Sequence, residues 1–167
     1  MNSYTFASEI VIPTVKEALA DRANRRRIYI AGIVTYHLVD YIAAEAGLDK
    51  SEICENVRKV CKPAFDVVQG ACHGTKHAGN ATRGYRFKPG EERNVPAFAF
   101  DSPGVGWGHG RWDVPGLSVE NGGAELFLDT CLQIVLFTCC KTYENQLGIL
   151  DLSFLDRMVL EAKPFKD

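Results

Sequence analysis

The stretch Gly70-Ala71-Cys72-His73-Gly74-Thr75-Lys76-His77-Ala78-Gly79-Asn80 holds two of the four histidines in the chain. Read as a helix, it puts His73 and His77 one turn apart, so both imidazoles leave the same face. Asp66 and Gly70 lie on that face one and two turns earlier, and Lys76 sits beside it. Gly74 lacks a Cβ, which would let a neighbouring helix or a ligand approach the backbone. So many polar groups on a helix of little surface character point to a site inside a helical protein.

Working outward, Pro63 divides the segment before this stretch into two expected pieces, 51–61 and 63–78, because proline has no N–H to give and its ring clashes with the preceding turn. Asp49 with Glu52 forms a capping-box signature for the first piece. Upstream, 14–47 reads as one long helix after a lead-in of 1–13, with Pro13 in its first turn and Gly47 as its C-cap. The second half of that helix is apolar all round, which predicts burial of His37 and Asp40 with partners for their polar atoms.

Downstream the texture changes. Ten of the fifteen glycines and four of the seven prolines fall between Gly79 and Gly123, so helix is not expected there. Residues 85–88, 95–101 and 107–114 are alternating or aromatic enough for strands, with a turn at Ser102-Pro103-Gly104. Helix is expected again over 124–147, stopped by Gly148, and a short last helix ends near Leu160. Together these readings predict a mainly α fold: a helical bundle with a small antiparallel β-ribbon insertion between the second and third long helices. It is expected to be a single domain over 1–167, with helical core at about 14–78 and 122–160 and the insertion at about 80–121.

A hydrophobic share of 46% with 24% charged residues is an ordinary globular balance, and a net charge of −2 excludes broad attraction to nucleic acid. Binding of that kind would need a local basic patch. The six cysteines form no CxxC pair and fall in apolar helical segments, so reduced, buried thiols are expected, and no structural zinc site. No signal-peptide pattern opens at Met1, which points to the cytoplasm. The two apolar runs, 28–44 and 124–140, carry His37 with Asp40 and Asp129 with Gln133, so they read as core helices and no membrane partner is expected.

Four groups of residues are candidates for chemistry. His37, Asp40, His73 and His77 come as spaced pairs on two helices, the way bundles build catalytic or metal centres, with Glu125 and Asp129 as further candidate ligands. The cofactor is thus none or a divalent metal ion. Without metal, Lys76 and the histidines, with Tyr36 nearby, suit an anion, and a His–Asp pair suits general-base work. A hydrogen-bond network that only fixes helix register is the plainer account of the same atoms. Gly104-Val105-Gly106-Trp107-Gly108-His109-Gly110 reads as a hairpin, not a phosphate loop, with Trp107 and His109 as an aromatic binding surface. Finally, Arg22 with Arg25 to Arg27 forms one basic cluster. Lys76, Arg83, Arg86, Lys88 and Arg93, interleaved with Tyr85 and Phe87, form another that suits single-stranded RNA or a surface paired with Glu91 and Glu92.

Tyr36-His37-Leu38-Val39-Asp40-Tyr41 in one long helix, followed by Thr75-Lys76-His77 ending the next, resembles bacterial proteins of the HEPN-like helical class. The resemblance spans roughly 25–80 and the last long helix. It implies a compact helical bundle that forms a homodimer, in a class of which many members act on RNA. Active members carry an arginine four to six residues ahead of a histidine. No histidine here has one, so the resemblance implies the fold and the dimer more than RNA cleavage. The leading expectation is a HEPN-like protein with a polar His/Asp/Lys pocket for RNA or a nucleotide. The alternatives are a metal-dependent hydrolase at the same residues and a non-catalytic interaction module.

Overall fold

The computed structural model describes residues 1–76, 90–95, 115–121 and 123–161. The fold is mainly α, with a three-stranded antiparallel sheet between the fourth and fifth helices. The 85–88 and 107–114 strand readings lie outside the described residues, as does all of 95–101 except Val95, which ends the first strand.

The N-terminal lead-in is helical. Asn2 Oδ1 accepts from Thr5 N–H at 2.8 Å and starts α1, Ser3–Phe6. Pro13 cannot donate to the carbonyl one turn back, and the turn before it, Ala7–Val11, widens into π geometry, with Ile12 N–H reaching Ala7 O. α2, Ile12–Ala20, follows directly. The helix expected over 14–47 is therefore broken. Asp21 to Asn24 form a turn, and Asn24 Oδ1 caps the new helix α3, Arg25–Ala46, by accepting from Arg27 N–H at 3.2 Å. Asn and Asp side chains compete for backbone N–H groups, so the chain breaks where they cluster. Gly47 ends α3 with φ +66°, as a left-handed C-cap.

α4, Lys50–Lys76, is bent at Cys61 (φ −138°, ψ 45°), two residues before Pro63. Its limbs wrap around α3. At Gly32 α3 and α4 pack closely: a methyl there would stand 3.4 Å from Ala71 Cβ and 3.8 Å from Leu132 Cδ2. The core lies where α3, α4 and α5, Leu128–Thr142, meet, with Leu38, Ile42, Ile53, Phe65, Leu132 and Leu136 removed from solvent. Phe6 stacks on Tyr41 at 4.0 Å between centroids and, with Val11 and Val15, closes the N-terminal side.

The strands are β1, Arg93–Val95, β2, Gly116–Asn121, and β3, Ala124–Phe127, in the order β1-β2-β3. The segment 124–127 was expected to be helix. It is a strand because Asn121 pairs with Ala124 across a tight turn, with Gly123 at φ +85°, and the chain folds back on β2 before α5 begins. Leu117 and Val119 of β2 are buried. The segment ends in two four-residue helices, α6 at Glu144–Leu147 and α7 at Arg157–Leu160, so the long helix stops at Thr142 and not at Leu147.

Two ion clusters, each built on a buried carboxylate, tie the periphery to this core. Arg22, expected in a basic surface cluster, instead donates to Asp129 at 2.6 Å and in fork geometry to Asp156 at 2.7 Å on both nitrogens. Its hydrogen bond to Asp156 is the largest influence holding the guanidinium above its ordinary pKa. Gln133 clasps Asp156 from the other side, with Nε2 donating at 2.8 Å and Oε1 accepting from Asp156 N–H at 2.6 Å. Glu92, expected to pair with the basic segment around it, turns inward. It accepts from Tyr29 OH at 2.8 Å and Gly90 N–H at 2.6 Å and pairs with Arg25. Burial opposes its ionisation, yet these donors and the cation win, and its pKa falls below the ordinary value.

Among the described residues no helix is long and apolar enough to cross a membrane. All six cysteines are buried thiols. Burial pushes Cys139 well up and Cys140 to about 12, so these thiols stay protonated.

Candidate functional site

The bend in α4 builds the site. Cys54 and Gln69 are fifteen residues apart, about 22 Å along a straight helix. In this elbow both reach one atom, the Tyr36 hydroxyl of α3. Gln69 Nε2 donates to it at 3.1 Å, and Cys54 Sγ lies at 3.9 Å. His73 Nε2 lies 3.2 Å from the same oxygen, with its ring edge-on to the tyrosine at 5.1 Å. Tyr36 is itself buried, and burial, outweighing the Gln69 hydrogen bond, raises its pKa, so the phenol stays protonated. Arg58 spans the elbow. It donates to Glu55 and Asp66 at 3.2 Å each and to Gln69 Oε1 at 3.0 Å, and its guanidinium lies 5.1 Å from the Phe65 ring centroid.

The second half of the site starts one residue along α3. His37 Nδ1 and Asp40 Oδ2 are 2.7 Å apart, and Asp40 Oδ1 takes Lys50 Nζ at 2.6 Å. That ammonium also lies 4.7 Å from the Tyr36 ring centroid, where it meets the negative face of the ring. Partial burial works against ionisation of Asp40, but Lys50 and His37 outweigh it and hold the carboxyl below its ordinary pKa. The carboxylate can only accept, so His37 donates to it from Nδ1.

Of the residues singled out in the sequence, Tyr36, His37, Asp40 and His73 come together across the α3–α4 contact. Lys76 closes α4, and His77, Arg83, Arg86, Trp107 and His109 lie outside the described residues. His37 and Asp40 are not buried as expected: their side chains are 31% and 37% exposed. Glu125 and Asp129 are not part of this site. Glu125 lies on β3 and accepts from Ser118 at 2.7 Å, and Asp129 belongs to the Arg22 cluster. Among the described residues no group of three or more His, Cys, Asp or Glu is arranged to hold a metal ion. Sequence reasoning passed over Lys50, Arg58 and Gln69. Lys50 had a signal, since a three-residue loop after α3 brings the first residue of α4 back beside Asp40.

Because Asp40 is more than one-third exposed, water screens its ion pairs, and Asp40→Asn is expected to cost no more than about 1 kcal/mol. The folded-state pKa is lowered, so this contribution is full above the unfolded value near 4 and is lost as pH falls through the folded value. Denaturant midpoints of the two proteins should therefore differ at neutral pH and converge in acid. A large difference persisting in acid would contradict this.

No protein-family model matches the chain, and neither the curated proteins nor the solved structures contain a match to it.

Proposed function

We propose that the α3–α4 face binds RNA or a nucleotide. The observation that carries this reading is the placing of two partly exposed imidazoles, His37 and His73, on either side of the α3–α4 contact beside Lys50 and Arg58, which are themselves paired with Asp40 and with Glu55 and Asp66. Imidazole and guanidinium groups donate to phosphate oxygens and stack on bases. The sequence that follows His73 runs through Lys76, Arg83, Arg86 and Lys88 without an intervening carboxylate, a cationic stretch of the kind that phosphate chains attract. The resemblance of the Tyr36–Tyr41 and Thr75–His77 sequences to HEPN-like proteins is in line with an RNA ligand, and none of the histidines follows an arginine at the spacing that active members carry, which favours binding over cleavage. Metal-dependent hydrolysis is less favoured, because both Asp40 oxygens are engaged, one by His37 and the other by the Lys50 ammonium.

The test is titration of a fluorescently labelled single-stranded RNA with the full chain at two salt concentrations, each with and without chelator. Affinity should fall steeply with salt as counterions are released and should ignore the chelator. Loss of binding on chelation would instead support the metal reading. An absence of RNA and nucleotide binding would refute the proposal and leave an interaction module.

A further inference from the structure

One solvent-facing stripe of α3 leads from its first turn to the α3–α4 face. Arg26, Ile30, Ile33 and His37 follow at spacings of four, three and four residues, so they leave the same side of the helix, and each is exposed or partly exposed. Ile30, a large apolar side chain, is 40% exposed in the middle of the stripe. Arg26 and His37 are eleven residues apart, about 16 Å along the helix.

The Arg26 end carries more positive charge than a helix start favours. Arg25, Arg26 and Arg27 fill the first turn, where the backbone dipole is itself positive, and no acidic residue shares that turn. Two of the three are answered from outside it: Arg25 by buried Glu92, and Arg27 by Asp21 at 3.7 Å. Among the described residues no carboxylate pairs with Arg26, which stands exposed on the stripe. An arginine that weakens the helix end and pairs with nothing among these residues is accounted for by an anion from outside.

We propose that the Arg26–His37 stripe is a track for single-stranded RNA, on which Arg26 takes a phosphate and Ile30 and Ile33 form an apolar bed for the bases between. The ligand is then a strand and not a single nucleotide. With one phosphate per about 3.4 Å of stacked strand, about five nucleotides cover the stripe, and one nucleotide cannot touch both ends. For its far end the track rests on the reading that the α3–α4 face binds RNA.

The experiment titrates fluorescein-labelled uridine monophosphate and oligouridylates of increasing length with the full chain, with Arg26→Gln, Arg26→Glu and Lys50→Met. Native affinity should rise with length and level off once the strand covers the stripe. Arg26→Gln should weaken the longest strand by about two- to fivefold, the worth of an exposed ion pair. It should also lower the log–log salt slope by about 0.7 and leave the monophosphate unaffected. Arg26→Glu should weaken the longest strand further while its denaturant midpoint does not fall, because glutamate suits the first turn of a helix. Lost binding in that variant is therefore not lost folding. Equal affinity for the monophosphate and the longest strand, or Arg26 variants that bind the longest strand as the native chain does, overturns the track. Should Lys50→Met alone abolish binding, with length and Arg26 indifferent, the α3–α4 reading stands and only the track falls. Length and Arg26 effects that persist undiminished in Lys50→Met keep the Arg26 contact and refute the α3–α4 reading. No binding at any length refutes both.

Discussion

Arg22→Ala is expected to destabilise the fold by about 3–5 kcal/mol, because it removes a guanidinium that bridges two carboxylates in a largely dry site. Asp129 is fully buried and the Arg22 side chain is 13% exposed, so little water can replace the lost guanidinium. The damage should spread. Arg22 lies in the turn between α2 and α3, Asp129 begins α5 and Asp156 precedes α7, so one side chain joins three parts of the chain. Arg22→Lys should recover only part of the loss, since an ammonium cannot reproduce the fork on Asp156. Denaturant unfolding checks both variants, and a near-native midpoint for Arg22→Ala would show that the cluster is solvated.

Phe65→Ala should cost a similar amount, about 3–5 kcal/mol, from lost burial and the cavity left behind. Phe65 is fully buried on the second limb of α4, 6.0 Å from the Tyr36 ring and beneath Arg58. Its loss therefore removes the floor of the elbow as well as core volume. Phe65→Leu, which keeps most of the volume, should cost much less and leave the Tyr36 hydrogen bonds in place. Equal losses in the two variants would mean that ring geometry, not filled volume, supports the site.

What the sequence could reveal followed from local chemistry. The α3 end at Gly47 and the α4 bend near Pro63 are written in single residues whose backbone preferences are strong. The His37–Asp40 pairing follows from helical spacing alone. The break between α2 and α3 was legible in Asp21 and Asn24 but was masked by the helix-forming run around them. β3 was misread because Leu126 and Phe127 continue without interruption into the apolar pattern of α5, and only the glycines before them mark the hairpin. The exposure of His37 and Asp40 was misjudged because an apolar helix need not be covered along its whole length. The ion clusters could not be read locally at all: Arg22 meets its carboxylates 107 and 134 residues away. Nor could the meeting of Arg58 with Gln69, which stand on opposite sides of the α4 bend.

On the proposed reading, ligand phosphates are met on the α3–α4 face. Amide proton–nitrogen spectra of the full chain, recorded as a short single-stranded RNA is added, test it most directly. The account predicts shifts concentrated at 36–40, around Lys50 and Arg58, and at 69–76, diminishing in high salt. Shifts centred on α5 and α7 with this face unmoved, or no shifts at all, would contradict it.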